Sequence, residues 1–397
     1  MAVFVTHAHI DHIGRLPQFV RAGFRGTIYS TPPTKDFGEL LLLDSEHILR
    51  EEAGKKHKAP LYGIPDVVAT MGLWQKRSYH EKIVVGPFTV EFINAGHILG
   101  SSSIVVCAEG KKIVFSGDLG NIPAPFITGT EYVADTDYAL IESVYGGRIH
   151  ENLEVRKEVL EDMIEDTVKK GGVFMIPAFA LERTQEMIYE LNELVEHGRV
   201  PRTPVFIDSP LAIKLTAIYQ KYSADQTYFN ADAIQQIARG DAIFNFPGLT
   251  TTLTTEESKH INEVPAPKII IAGSGMSNAG RILHHEARYL SDQKNTILIV
   301  GYQAHGSLGR ELLDKKPSVR IFGEDIPVRC RVKAIGGYSA HEDQPQLLQW
   351  IAPMKESVKK LFIVQGEEDQ AKALMQKVRD ELAVNATIPS PGETVVI

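Results

Sequence analysis

The chain has 397 residues, 43% of them hydrophobic and 23% charged, with a formal net charge of −8. That length asks for two or three domains at ~150 residues each, and the composition is that of a globular protein. The acidic balance argues against nucleic acid coating the whole surface but allows a local basic channel; no run approaches the ~18 apolar residues of a membrane span, and no basic leader precedes the first polar cluster.

In chain order, "AVFV" reads as a buried strand. It runs into "THAHIDHIG", which crowds His7, His9, Asp11 and His12 into one loop. The stretch "IDHIGRLPQFVRAG" then opens a helical pattern, so Asp11 and His12 fall at the strand-to-helix turn. His7 and His9 can aim at one point there, and Asp11 and His12 at a second nearby. Imidazole and carboxylate donors suit zinc or a similar first-row metal.

Further on, the strand "FTVEFI" is followed by His97 in "NAGHILGS", and "IVFSGD" ends on Asp118. The strand "YALIES" ends near Glu142. Then strands "VFMIPA", "VFIDS", "KIIIAG", "TILIVGY", "VRCRVKAI" and "KLFIVQG" alternate with helical patterns at 181–196, 211–222, 281–290 and 346–351. Such alternation predicts α/β layers with mostly parallel pairing. Asp118, Glu142, Ser209, Ser274 and Gln303 all lie just past strand ends, the edge where open α/β sheets bind ligands. The loop "GSGMSNAG" offers backbone N–H groups and Ser274 to an anion. In "GGYSAHED", Asp343 is placed to cap a helix that has Pro345 in its first turn. Cys107 and Cys330 lie in apolar strands and read as buried thiols, which fits a cytoplasmic protein.

The ordered set H-x-H-x-D-H, "GHILGS" and "SGDLG" resembles the metallo-β-lactamase superfamily. "IESVYGGR", "PAFALERTQE", "DSPLAIKLTAIY", "IAGSGMSNAGR", "GYQAHGSLGR" and "GGYSAHED" narrow the resemblance to the β-CASP nucleases. That group includes the cleavage and polyadenylation endonuclease subunit with its archaeal and bacterial relatives, RNase J and Artemis.

The resemblance implies an αββα metallo-β-lactamase sandwich built from residues 1–149 and 336–397. An α/β β-CASP domain, 150–335, is inserted as its cap. Relatives place several strands before the histidine motif, so the sandwich is expected to be incomplete at the N-terminus. The implied activity is that of a zinc-dependent endoribonuclease acting on single-stranded RNA. In that pattern His7, His9 and His97 hold one Zn²⁺, Asp11 and His12 a second, and Asp118 bridges them. Asp11, Glu142 and His341 form the catalytic set, with His341 the general acid and Glu142 its partner. Ser274, Gly275, Arg183 and Ser339 are the expected RNA contacts, and a homodimer the expected assembly. Where the family carries histidine in a V-H-G-E motif, this chain has Gln365 in "VQGEED". A neutral amide is a poor zinc ligand beside imidazole, so the second metal is expected to bind more weakly. DNA-directed relatives also lack that histidine, which leaves a DNA nuclease as an alternative. A catalytically impaired RNA-binding scaffold is another, set against the retained ligands.

Overall fold

The computed structural model describes residues 1–397, except for the side chains of 153 and 154. It divides into two compact units. One comprises 1–149, 226–230 and 341–397, the other 150–225 and 231–340. The inserted unit thus ends at Ala340 rather than at 335. The excursion 226–230 returns to the first unit because its backbone pairs there. Thr128 N–H donates to Tyr228 O at 2.9 Å and Asn230 N–H to Phe126 O at 3.0 Å. Hydrophobic periodicity does not report such a pairing.

The first unit contributes β1 (Ala2–Phe4), β2 (Thr27–Ser30), β3 (Trp74–Lys76), β4 (Ile83–Val85), β5 (Phe88–Asn94), β6 (Ser102–Ala108), β7 (Lys111–Phe115) and β8 (Tyr138–Ile141). The second contributes β9 (Val173–Pro177), β10 (Val205–Asp208), β11 (Leu249–Thr251), β12 (Lys268–Ala272), β13 (Thr296–Ile299), β14 (Ser318–Ile321), β15 (Glu324–Pro327) and β16 (Arg331–Ala334). The chain then returns with β17 (Lys360–Ile363) and β18 (Ala386–Thr387).

In the first unit, a three-stranded sheet β1-β2-β3 accompanies a seven-stranded sheet β18-β17-β8-β7-β6-β5-β4. β5 and β6, and β6 and β7, pair antiparallel, while β7, β8 and β17 pair parallel. The carboxyl ends of β5, β7, β8 and β17 therefore share one edge. The helices Gln344–Ile351 and Glu368–Leu382 cover one face of the large sheet. Leu347, Trp350, Leu374 and Val378 pack there on Val105, Val114, Ile141 and Ile363. Each such burial contributes ~1.5–3 kcal/mol, which fixes the edge from behind.

β1 is half-buried rather than buried. It is the edge of its sheet, and an apolar groove of about 660 Å³ opens beside it, lined by Phe4, Val90, Ile104, Val106 and Phe115 among others. Cys330 is buried, but Cys107 is exposed, because the period of two along β6 turns it outward, between Thr89 and Lys112 of the flanking strands.

The second unit holds a six-stranded sheet, β11-β10-β12-β9-β13-β16, parallel throughout. A parallel sheet is covered on both faces, which accounts for the uninterrupted burial of Lys268–Ala272. The Lys268 ammonium is satisfied by the carbonyls of Ile261 and Val264. Among the described residues, no helix is long and apolar enough to cross a membrane.

One buried acid in this unit carries a stability prediction. Glu286 is fully buried; Ser277 Oγ donates to its Oε1, while Oε2 has no hydrogen-bond partner among the described residues. Burial pushes its carboxyl up from 4.5 to about 8. The unfolded chain ionises this group and the folded one does not, so its contribution to stability falls as pH rises from 4.5 toward 8. Glu286→Gln removes that dependence. At pH 8 it should be more stable than the parent by of the order of 3 kcal/mol, with little difference at pH 4.5. Urea denaturation at both pH values measures this; equal gains at both would refute it.

Candidate metal centre

The shared strand edge of the first unit gathers the polar residues. His7 and His9 follow β1, and Asp11 and His12 lie in the one-turn helix Ile10–Ile13. His97 follows β5, Asp118 follows β7, Glu142 follows β8 and Gln365 follows β17. Glycine lets the ligand loops touch. A Cβ on Gly120 would stand 1.8 Å from the carbonyl oxygen of Gly96, and Gly120 N–H donates to Ala95 O at 2.9 Å. This brings the His97 and Asp118 loops into contact.

His7, His9, His97 and Asp118 bring one donor atom each within 4.8 Å of one another. His9 Nδ1 lies 3.1 Å from His7 Nε2 and 3.2 Å from His97 Nε2. Asp118 Oδ2 is 3.3 Å from His7 Nε2 and 3.6 Å from His97 Nε2. Burial lowers the pKa of all three histidines, which keeps them in the neutral form that binds a cation. Burial alone would raise Asp118, but the surrounding imidazoles outweigh it and hold the carboxyl well below its usual range. Three imidazoles converge on one carboxylate, with ring nitrogens facing each other at 3.1 and 3.2 Å and one donor atom from each residue turned to a common point. The donor set fits a divalent first-row cation.

The other oxygen of Asp118 serves a second group. Oδ1 is 3.4 Å from His12 Nε2 and accepts from Gln365 Nε2 at 2.6 Å. Asp11 Oδ2 approaches His12 Nε2 at 3.5 Å and is exposed. Thus Asp118 faces two half-sites, one oxygen to each.

Beside them stands a pair the sequence also singled out. His341 Nδ1 lies 3.0 and 3.2 Å from the two oxygens of Glu142, and its ring centre is 4.6 Å from that of His97. Burial on its own would favour neutral imidazole, but the Glu142 carboxylate outweighs it and pushes His341 up to about 9. Glu142 is itself held by Leu119 N–H, which donates to Oε1 at 2.7 Å. His341 is set by a backbone bridge to Gly120. Asp343 caps the next helix as its spacing predicts, accepting from Gln346 N–H at 3.2 Å.

Two supporting groups escaped the sequence. Thr6 Oγ1 lies 3.2 Å from His7 Nδ1 and 3.5 Å from His12 Nδ1, and so orients both rings. The Leu119 amide orients Glu142. Neither a lone threonine nor a backbone N–H carries a sequence signal; only adjacence to His7 and Asp118 marks them.

The expected RNA contacts lie in the second unit. Arg183 is buried and ion-paired with Glu186. Ser274 Oγ accepts from the amides of Asn278 and Ala279, closing its own loop. A Cβ on Gly275 would meet the Phe179 ring at 2.6 Å. Ser339 is buried, and its N–H donates to Gly336 O at 2.8 Å. His285 is buried against Asp208 and serves packing.

Three family models match the chain. They are the metallo-beta-lactamase superfamily over 1–143, the Beta-Casp domain over 184–312 and the Zn-dependent metallo-hydrolase RNA specificity domain over 325–389. Ribonuclease TTHA0252 of Thermus thermophilus is 38% identical over 94% of this chain and 83% of its own length. An RNase J-like protein of Methanocaldococcus jannaschii is 29% identical, covering 100% of this chain and 88% of that protein. Transcription termination factor FttA of Methanosarcina mazei is 30% identical over 99% of this chain but only 62% of its own length. Among solved structures, a protein of unknown function from Enterococcus faecalis matches with a TM-score of 0.52 at 14% identity, over 100% of this chain and 81% of that one. That likeness bears on the fold alone.

Proposed function

The chain belongs to the β-CASP family of the metallo-β-lactamase superfamily, and on that premise we propose that it is a zinc-dependent endonuclease of single-stranded RNA. The observation that carries this is the convergence of His7, His9, His97 and Asp118 beside the Glu142–His341 pair. Those four residues would hold the metal. When bound, a divalent cation supplies Lewis-acid activation of water and neutralises phosphoryl oxygens.

The chain's own residues do the rest. Asp11, exposed at the rim of the centre, accepts a hydrogen bond from the attacking water and orients it. Glu142 holds His341 by Nδ1 and favours its charged form. The proton His341 hands to the leaving oxygen is therefore the one on Nε2. Glu142 is fully buried, whereas His341 is partly exposed, so the imidazole is open to a substrate on the side away from its carboxylate partner. In the inserted unit Ser274, Gly275, Arg183 and Ser339 would contact the RNA.

Purified protein supplied with zinc should cut 5′-labelled single-stranded RNA at internal positions. It should stop in EDTA and resume when zinc is restored. Mononucleotides released only from one end would overturn the endonuclease assignment. Equal cutting of single-stranded DNA would favour the DNA-directed reading, and no metal-dependent cleavage of either would overturn both.

A further inference from the structure

Gln365 occupies the second half-site in a particular way. Its amide nitrogen is 2.6 Å from Asp118 Oδ1 and 3.1 Å from His12 Nε2. An amide nitrogen carries two hydrogens. One goes to the carboxylate, and the other to the imidazole lone pair when the His12 proton is on Nδ1, toward Thr6 Oγ1 at 3.5 Å. Two partially positive hydrogens therefore stand where a cation would meet the same two lone pairs. The side chain is also aimed by its backbone. Gln365 has φ of 51°, and its carbonyl accepts from Ser143 N–H at 3.2 Å.

The two halves of the centre differ accordingly. The first presents three imidazoles, those of His7 and His97 buried and that of His9 half-buried, and a carboxylate oxygen, with no side-chain amide among them. The second already directs an amide N–H of the chain at Asp118 Oδ1, with the same nitrogen within reach of His12 Nε2. A cation entering it must break both amide hydrogen bonds and turn the amide to offer Oε1, a weaker donor than imidazole.

We infer that Gln365 acts as an internal stand-in for the second cation, so that this chain keeps one tightly bound divalent ion and takes a second only loosely. The inference rests on the metal-centre reading above and specifies its stoichiometry. Two lost hydrogen bonds, one of them to a charged group, weaken the second site by at least about 100-fold relative to a histidine-completed one.

The test is metal content. Protein incubated with excess Zn²⁺ is dialysed into metal-free buffer and analysed by mass spectrometry of the elements. The parent is expected to retain one zinc per chain and Gln365→His two. Gln365→Glu keeps the shape but replaces the N–H donors with a carboxylate, and is also expected to retain a second ion. Mn²⁺, which suits an oxygen-rich donor set, is then titrated into the parent and into Gln365→Glu, each loaded with a single equivalent of zinc, and followed by the electron paramagnetic resonance of the free ion. Binding at least about 100-fold weaker than in Gln365→Glu is expected. Two tightly held zinc ions in the parent would overturn the inference and leave the nuclease reading standing. One zinc in the parent and in both variants would also overturn it. No zinc in the parent would instead remove the metal centre itself.

Discussion

Asp118→Ala is expected to abolish retained zinc and to lower RNA cleavage by at least about 10³-fold. Asp118 is the carboxylate that both halves of the centre use, Oδ2 toward His7 and His97 and Oδ1 toward His12 and Gln365. Its removal leaves buried imidazoles without a negative charge, and a cation there would lose the group that offsets its own charge. Asp118→Asn keeps the shape and one acceptor but not the charge. It should retain less zinc than the parent and more than Asp118→Ala. Elemental analysis and cleavage rates on the same preparations, with circular dichroism to confirm folding, measure both effects. Parent-level zinc in folded Asp118→Ala would contradict the geometry.

His341→Ala should lower RNA cleavage by about 10²–10⁴-fold, the usual contribution of a positioned general acid, without loss of zinc. The imidazole engages Glu142 and lies outside the group of converging donors. A merely structural role would make the loss the same for every substrate. A proton-donor role makes it depend on the leaving group. With a bis(4-nitrophenyl) phosphodiester, whose leaving phenolate needs little protonation, the variant should lose no more than about tenfold. Glu142→Gln should follow the same pattern more weakly, because it removes the charge that holds His341 protonated. Equal losses on RNA and on the activated diester would assign His341 to structure instead.

Much of this site is written locally. His7, His9, Asp11 and His12 stand together in the sequence because a single loop after β1 delivers them all. His97, Asp118, Glu142 and Gln365 are each an ordinary polar residue at a strand end. They become a site because β5, β7, β8 and β17 run in one direction and finish at one edge. Strand patterns predict the ends but not which strands are neighbours; there the family resemblance supplied the connection. Side-chain fates that depend on distant partners stayed hidden. Gln365 looks like a missing ligand until its contacts with His12 and Asp118 are seen. Cys107 is exposed and β1 half-buried, because strand composition reports apolarity, not which face or edge another layer covers. The excursion at 226–230 is held by backbone hydrogen bonds, for which no residue type is a marker.

The most direct test is diffraction from zinc-loaded crystals, with data collected on either side of the zinc absorption edge. An anomalous peak is expected in contact with His7 Nε2, His9 Nδ1, His97 Nε2 and an Asp118 oxygen. A strongest peak away from those four, or no peak in crystals of protein that still cuts RNA in EDTA, would contradict a metal-dependent nuclease built on this edge.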